Sequence, residues 1–302
     1  MILLKQMMIF GIMMAAGYVM ARKNILDEKA AKAVSWLIVN IANPALILSG
    51  CIGNTISKSE LLSVLTAAVV LYVILIILAE LFVPFFRFRT NETAIYKLLF
   101  VFSNIGFMGF PIISTLCGTK ALLYASVFLL PFNFLIYTYG IFRLTGTAMH
   151  FTTILKECIN PGVTAVLLTF VFALYKVELP YVINQSIVML SNLSAPLCMM
   201  VVGAAFVSIS WKETVCDLKL LVFSAIRLLV IPYIIMQIVF RITEDTMMQT
   251  VIFVVMATPA GSMVSMLAQQ YDKEYLTASK VIAVTTVLSV VTMPVLSVSL
   301  KI

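Results

Sequence analysis

Charge is scarce in this chain. Asp, Glu, Lys and Arg make up 11% of its 302 residues, where an ordinary soluble domain carries about a quarter. The single histidine, His150, leaves no His-rich metal cluster, argues against a Ser–His–Asp triad, and reads as a solvated loop residue. The five cysteines (Cys51, Cys117, Cys158, Cys198 and Cys216) are odd in number, lack paired spacing and fall mostly in or beside apolar runs. They read as buried free thiols rather than a disulfide framework or a metal site. No P-loop is present, and the acids are scattered through loops without a carboxylate cluster or a nucleophile–base pair. These absences argue against an ATPase and against an enzyme of any kind, and no cofactor is expected. No loop is long enough to form a soluble or signalling domain. The 18 methionines form no Met-x-x-Met ladder aligned with acids or histidines, so they read as adaptable packing.

What fills the chain instead is apolar: 62% of its residues are hydrophobic. One core cannot hide that much apolar surface, so a bilayer must solvate it. The first run, "MILLKQMMIFGIMMAAGYVMARKN", exceeds the ~7–15 residues of a signal-peptide core and lacks a small-residue cleavage site before Arg22 and Lys23, so it reads as a first span. With about 20 apolar residues needed per crossing, the pattern predicts an all-α polytopic membrane protein. Its ten spans are expected at 4–21, 32–51, 61–86, 94–117, 120–143, 153–175, 182–208, 218–240, 247–270 and 275–300.

The +7 net charge reports orientation, not nucleic-acid binding. Of the 20 lysines and arginines, thirteen lie on one side: Arg22, Lys23, Lys29, Lys32, Arg87, Arg89, Lys97, Arg143, Lys156, Lys212, Lys219, Lys273 and Lys280. Six lie on the other: Lys5, Lys58, Lys120, Lys176, Arg241 and Lys301. The asymmetry places the odd-to-even loops in the cytoplasm and both termini outside the cell membrane.

"VNIANPAL" (39–46) aligns with "SNLSAPLC" (191–198), and "LCGTKALLYAS" (116–126) with "QQYDKEYLTAS" (269–279), at nearly one offset. Two repeats of five spans, 1–143 and 152–302, must then run in opposite orientations, a pointer to secondary transporters. The repeat sets "SNIGFMGFPII" (103–113) opposite "MATPAGSMVSM" (256–266). Both segments place helix breakers inside an apolar run. Pro111 and Pro259 each remove a backbone donor, and Gly106, Gly109 and Gly261 permit close approach and unusual dihedrals. Bare backbone groups are not tolerated in lipid. The breaks therefore either serve helix packing, as Gly and Pro often do in membranes, or face a ligand. In the second reading four half-helix ends converge near the midplane, N-termini toward an anion and carbonyls toward a cation. Ser103, Asn104, Thr258 and Ser262 would then supply the hydrogen bonds.

"NPAL" (43–46), "SNIGFMGFPII", "NPG" (160–162) and "MATPAGSMVSMLAQQYDKEYLTASKVIAVTTVLSVVTMPVL" (256–296) resemble the auxin efflux carrier family, and the likeness runs across nearly the whole chain. The resemblance implies a ten-span carrier of organic anions, similar in fold to the bile acid:sodium symporters. Spans 1–2 and 6–7 would form a scaffold, through which a homodimer would assemble. Spans 3–5 and 8–10 would form a moving transport bundle in which spans 4 and 9 cross. Plant relatives carry a long loop between spans five and six; here it is only about 144–152, as in short bacterial members linked to malate or malonate. That departure argues against auxin as the substrate and removes the usual place for phosphorylation control.

Two ionisable residues lie well inside apolar runs, Glu80 and Arg227. At ~1.5 Å per residue both sit roughly 10–12 Å below the cytoplasmic boundary, a depth that permits an ion pair. Such residues line pathways or pair with one another. Arg227 is thus a candidate for drawing the anion or coupling conformations, with Glu80 its partner or a proton site; a purely structural bridge is the alternative. Lys97 and Lys280 lie nearer the cytoplasmic side and can snorkel. Asn40 and Asn43, beside Pro44, read as structural. Asn133 is a further substrate-contact candidate, because its span neighbours the crossover in the resembling fold. The function expected is a secondary carrier of small organic anions, dicarboxylates first, with H+ or Na+ as the coupling ion. A sodium-coupled bile-acid-type symporter and a membrane-embedded sensor are the alternatives.

Overall fold

The computed structural model describes residues 2–147 and 151–302, so His150 lies outside the described residues. Seven helices are long and apolar enough to cross a membrane: α1 (Ile2–Arg22), α2 (Glu28–Ser49), α3 (Lys58–Phe86), α6 (Lys120–Thr145), α9 (Tyr181–Ser208), α11 (Leu218–Ile242) and α14 (Tyr275–Leu300). Shorter helices lie between them: α4 (Thr90–Val101), α5 (Ile105–Cys117), α7 (Phe151–Cys158), α8 (Pro161–Tyr175), α10 (Trp211–Cys216), α12 (Thr246–Ala257) and α13 (Ser262–Gln270). The chain is an all-helical, multi-pass membrane protein. Among the described residues the one departure from helix pairing is an isolated antiparallel bridge between Ser103 and Ala260.

Four of the 13 acids, Asp27, Glu60, Asp217 and Asp245, are placed where helices begin. Asp27 accepts from Ala30 N–H, Asp217 from Leu220 N–H, and Asp245 from Met247 and Met248 N–H. Ser57 and Glu60 form a reciprocal capping box at the start of α3. Each cap satisfies donors the helix leaves orphaned and contributes about 1 kcal/mol.

Three long or broken helices contain a π-helical segment ending two residues before a proline: 38–42 before Pro44, 105–109 before Pro111 and 226–230 before Pro232. Proline lacks the N–H for its i−4 carbonyl and its ring crowds that position, so the preceding turn widens. The expected sixth span is corrected by the same chemistry. Rather than one helix over 153–175, the chain breaks at 159–160. Asn160 caps Val163 N–H at 3.0 Å and Pro161 opens α8. The short helix α10 was also absent from the sequence reading.

α6 is the innermost long helix, with 78% of its apolar window buried against 28% for α1 and for α3. It packs against α2, α3, α5, α8 and α12. α1 and α9 cross at backbone contact. An added Cβ at Gly17 would meet the Met200 carbonyl oxygen at 2.0 Å, and one at Gly203 the Met14 carbonyl oxygen at 1.9 Å. Only glycine admits this approach, the small-residue mode of packing in membranes.

Candidate functional site

The two broken segments meet. α4 ends at Val101 and α5 starts at Ile105; α12 ends at Ala257 and α13 starts at Ser262. Between them the chains run antiparallel. Asn104 N–H donates to the Pro259 carbonyl at 2.8 Å and Gly261 N–H to the Phe102 carbonyl at 2.9 Å. Ala260 N–H donates to Thr285 Oγ1 of α14 at 3.2 Å. Each break thus supplies partners for backbone groups that proline and unwinding set free, as burial requires.

Gly261 lies where the strands come closest: a Cβ there would sit 3.1 Å from the Ser103 oxygen and 3.2 Å from the Phe102 oxygen. Its φ of −72° is ordinary, so close approach, and not a left-handed backbone, explains the glycine. At Gly109 the crowding is with its own turn, the Ile105 side chain at 3.0 Å.

Asn104 caps the first turn of α5, its Oδ1 accepting from Phe107 N–H at 3.3 Å. Thr258 is fully buried and its hydroxyl returns to the Val255 carbonyl at 3.1 Å. Ser103 is buried with a hydroxyl that has no hydrogen-bond partner among the described residues. Ser262 opens α13 and is half-buried; Pro111 is buried in the first turn of α5's α-helical part. The Gly106 carbonyl accepts from Asn43 Nδ2 at 3.2 Å, and Ser194 Oγ of α9 donates to Asn43 Oδ1 at 2.5 Å. Asn43 therefore joins α2, α9 and the crossover in one chain of bonds.

Arg227 reaches the same place from the π segment of α11. Its Nε donates to the Leu99 carbonyl and its Nη1 to the Thr258 carbonyl, both at 2.8 Å. The ion pair considered between Glu80 and Arg227 is not made. Glu80 instead takes Lys97 Nζ at 2.6 Å, Arg143 Nη2 at 2.6 Å and the Tyr139 hydroxyl at 2.7 Å. The reason is proximity on neighbouring helices: α3, α4 and α6 converge at that level, while Arg227 faces two helix ends that need a donor. Lys97, expected to snorkel, is held by this bond. Asn133 does not join the crossover contacts; its Nδ2 returns to the Leu129 carbonyl at 2.8 Å and its Oδ1 accepts from Asn160 Nδ2 at 3.1 Å. The network around Glu80, the Asn43–Ser194 link and the Thr285 contact were missed from sequence. The level at which Glu80 of α3 meets Tyr139 of α6 carries no sequence signal of its own, because it depends on which helices are neighbours.

A family model described as "membrane transport protein" matches residues 2–297. This chain belongs to that family, the auxin efflux carriers. An "uncharacterized transporter" of Methanothermobacter thermautotrophicus is 24% identical over 307 residues, covering 96% of this chain and 95% of that one. The crossover thus sits in a transmembrane transport protein, and membership of this family points to a carrier and away from an enzyme.

Proposed function

We propose that this transport protein is a secondary carrier of small organic anions, carboxylates first, that binds its substrate where the two broken helices cross. The observation that carries the reading is the antiparallel contact at Ser103 and Ala260 with helix starts at Ile105 and Ser262 on either side of it. Helix N-termini present N–H donors and partial positive charge, which suit a carboxylate. Ser103, Asn104, Gly106, Thr258 and Ser262 lie in or beside the two breaks, and the unspent Ser103 hydroxyl is available to a ligand.

In this reading the chain crosses the membrane ten times: the seven long helices, plus α4 with α5, α7 with α8, and α12 with α13. The two halves, 1–143 and 152–302, form inverted five-helix repeats, with both termini outside. α1, α2, α7, α8 and α9 act as the scaffold and, in a homodimer, as the interface; α3 to α6 and α11 to α14 carry the substrate by alternating access. The packing of α2 on α8 and α9, and of α1 on α9, supports that grouping.

The test is uptake of labelled malate, malonate and indole-3-acetate into proteoliposomes, each with and without proton and sodium gradients. Saturable uptake of one acid, competed by its unlabelled form, is the expected result. A folded, monodisperse protein that takes up none of the three would overturn the substrate class.

A further inference from the structure

Arg227 is a buried cation, 4% exposed, yet none of the ion pairs among the described residues includes it. An uncompensated charge in such a place costs several kcal/mol, so its partners must be found elsewhere. They are main-chain groups. Leu99 lies in the last turn of α4, and the residue whose N–H would close its helical bond, Ser103, has left the helix. Thr258 is the extended residue that follows Ala257 and caps the C-terminus of α12. Helix C-termini carry about half a negative charge each. Two of them converge on this guanidinium, enough to balance its single positive charge. In carriers built on broken helices, such C-terminal ends and unwound carbonyls are where a free coupling cation is held.

We infer that Arg227 is a resident cation: its guanidinium fills, from within the chain, a cation-binding position formed by the carbonyl ends of both broken helices, and thereby holds the crossover closed without a bound metal ion. It is a positioning residue, acting on Ser103, Thr258 and their neighbours through the two helix ends and not by contact with substrate. A small cavity of about 10 Å³ lies beside it, lined by Leu75, Ser103, Ile231 and Val255 among others. That is room for about one water molecule, and Ser103 is the residue there with a hydroxyl to offer it. Truncating Arg227 joins this cavity to the space the side chain leaves, so a small planar cation fits.

The inference rests on the carrier reading only for its consequence in transport; the test reads stability, so the two fail separately. Purified Arg227→Ala, Arg227→Met and Arg227→Lys would be melted with a thiol-reactive dye, which reports exposure of the buried Cys51 and Cys198. Guanidinium, methylguanidinium, Na+ and K+ would each be titrated against choline to ~10 mM, low enough to bind without denaturing and high enough to stabilise by mass action. Arg227→Ala is expected to lose about 5 °C or more and to regain at least half of it saturably with guanidinium, whereas the wild type does not respond. Arg227→Met fills the space without charge and is expected to be destabilised and unresponsive. Should Arg227→Ala not fold, Arg227→Lys carries the test, and must melt clearly above Arg227→Met. Wild-type stability in Arg227→Met, or a folded Arg227→Ala that no cation restores, would overturn the proposal.

Discussion

The crossing of α1 and α9 permits a controlled test within a single helix. A methyl group at Gly17 would lie 2.0 Å from the Met200 oxygen and 2.6 Å from its carbonyl carbon. One at Gly203 would lie 1.9 Å from the Met14 oxygen. Both obstacles are backbone, so no side-chain rotation relieves them. Restoring ordinary contact requires the helices to part by roughly 1.4 Å, which forfeits a large part of the dispersion energy along the whole seam. Overpacking ordinarily costs about 1–3 kcal/mol, and a rigid backbone obstacle puts Gly17→Ala and Gly203→Ala at the top of that range or above it. Gly11 lies in the same helix with nothing within 4 Å of its would-be Cβ. Gly11→Ala is therefore expected to be neutral, or to gain up to about 1 kcal/mol of helix propensity. The assay is thermal unfolding in detergent, beside size-exclusion profiles of the three variants. If Gly17→Ala and Gly203→Ala melt with Gly11→Ala, backbone contact does not hold this crossing and the reasoning fails.

Three further outcomes are expected. Glu80→Gln leaves Lys97, whose side chain is 13% exposed, beside Arg143 without a carboxylate. It should cost about 1–3 kcal/mol, with part of the loss recovered in Glu80→Gln/Lys97→Met by a double-mutant cycle in thermal melts. Gly261→Ala presses a Cβ on the Ser103 and Phe102 carbonyl oxygens and should reduce proteoliposome uptake at least tenfold, while far-ultraviolet circular dichroism still reports the wild-type helix content; unchanged uptake would count against the crossover as the site. Asn43→Leu removes the bonds to Gly106 and Ser194 and should cost about 1–3 kcal/mol for the buried groups it strands, with Ser194→Ala costing less, as measured by melting temperature.

The apolar runs located the helices because length and hydropathy are local properties, and Pro259 and Gly261 located the second break for the same reason; the first lies at 102–104, ahead of Gly106, Gly109 and Pro111, which sit inside α5. What the breaks do to one another was legible only in outline. The carbonyls of Leu99, Phe102, Thr258 and Pro259 act here as acceptors, and a carbonyl is the same on every residue type. Arg227 was visible as a charge out of place, but an ion pair with Glu80 was the natural expectation because sequence displays carboxylates and hides helix ends. Glu80 found its partners 17, 59 and 63 positions away, on α4 and α6, at a level fixed by packing and not by spacing. The break before Pro161 was written in "NPG", where Asn is a capping residue and Pro a first-turn residue; the surrounding apolar run concealed it. Gly17 and Gly203 gave no warning of their contact, since small residues in membrane helices acquire meaning only from a neighbour.

The distribution of polar bonds bears on which parts of the molecule are able to move together. α3 and α6 are fastened near both ends, by Glu60 to the Tyr124 hydroxyl at 3.4 Å and by Glu80 to the Tyr139 hydroxyl at 2.7 Å. The Tyr124 hydroxyl also reaches Asp245 at the start of α12, at 3.2 Å. Arg227 ties α11 to the ends of α4 and α12, and Thr285 ties α14 to the bridge. All these bonds join helices assigned to the moving body in the carrier reading. Among the described residues, the hydrogen bond that ties α2 to the crossover is the one from the Asn43 amide to the Gly106 carbonyl, at 3.2 Å. Displacing the crossover past α2 requires that bond to break, while the Arg227 and Glu80 networks travel intact. Ser194 keeps Asn43 oriented through its Oδ1, so the Nδ2 group is released without freeing the side chain. The Asn160 amide, which caps α8 and donates to Asn133 of α6 at 3.1 Å, bridges the same two bodies, so the carrier reading makes Asn43 and Asn160 the residues whose partners exchange during transport, and Arg227 a residue whose partners do not.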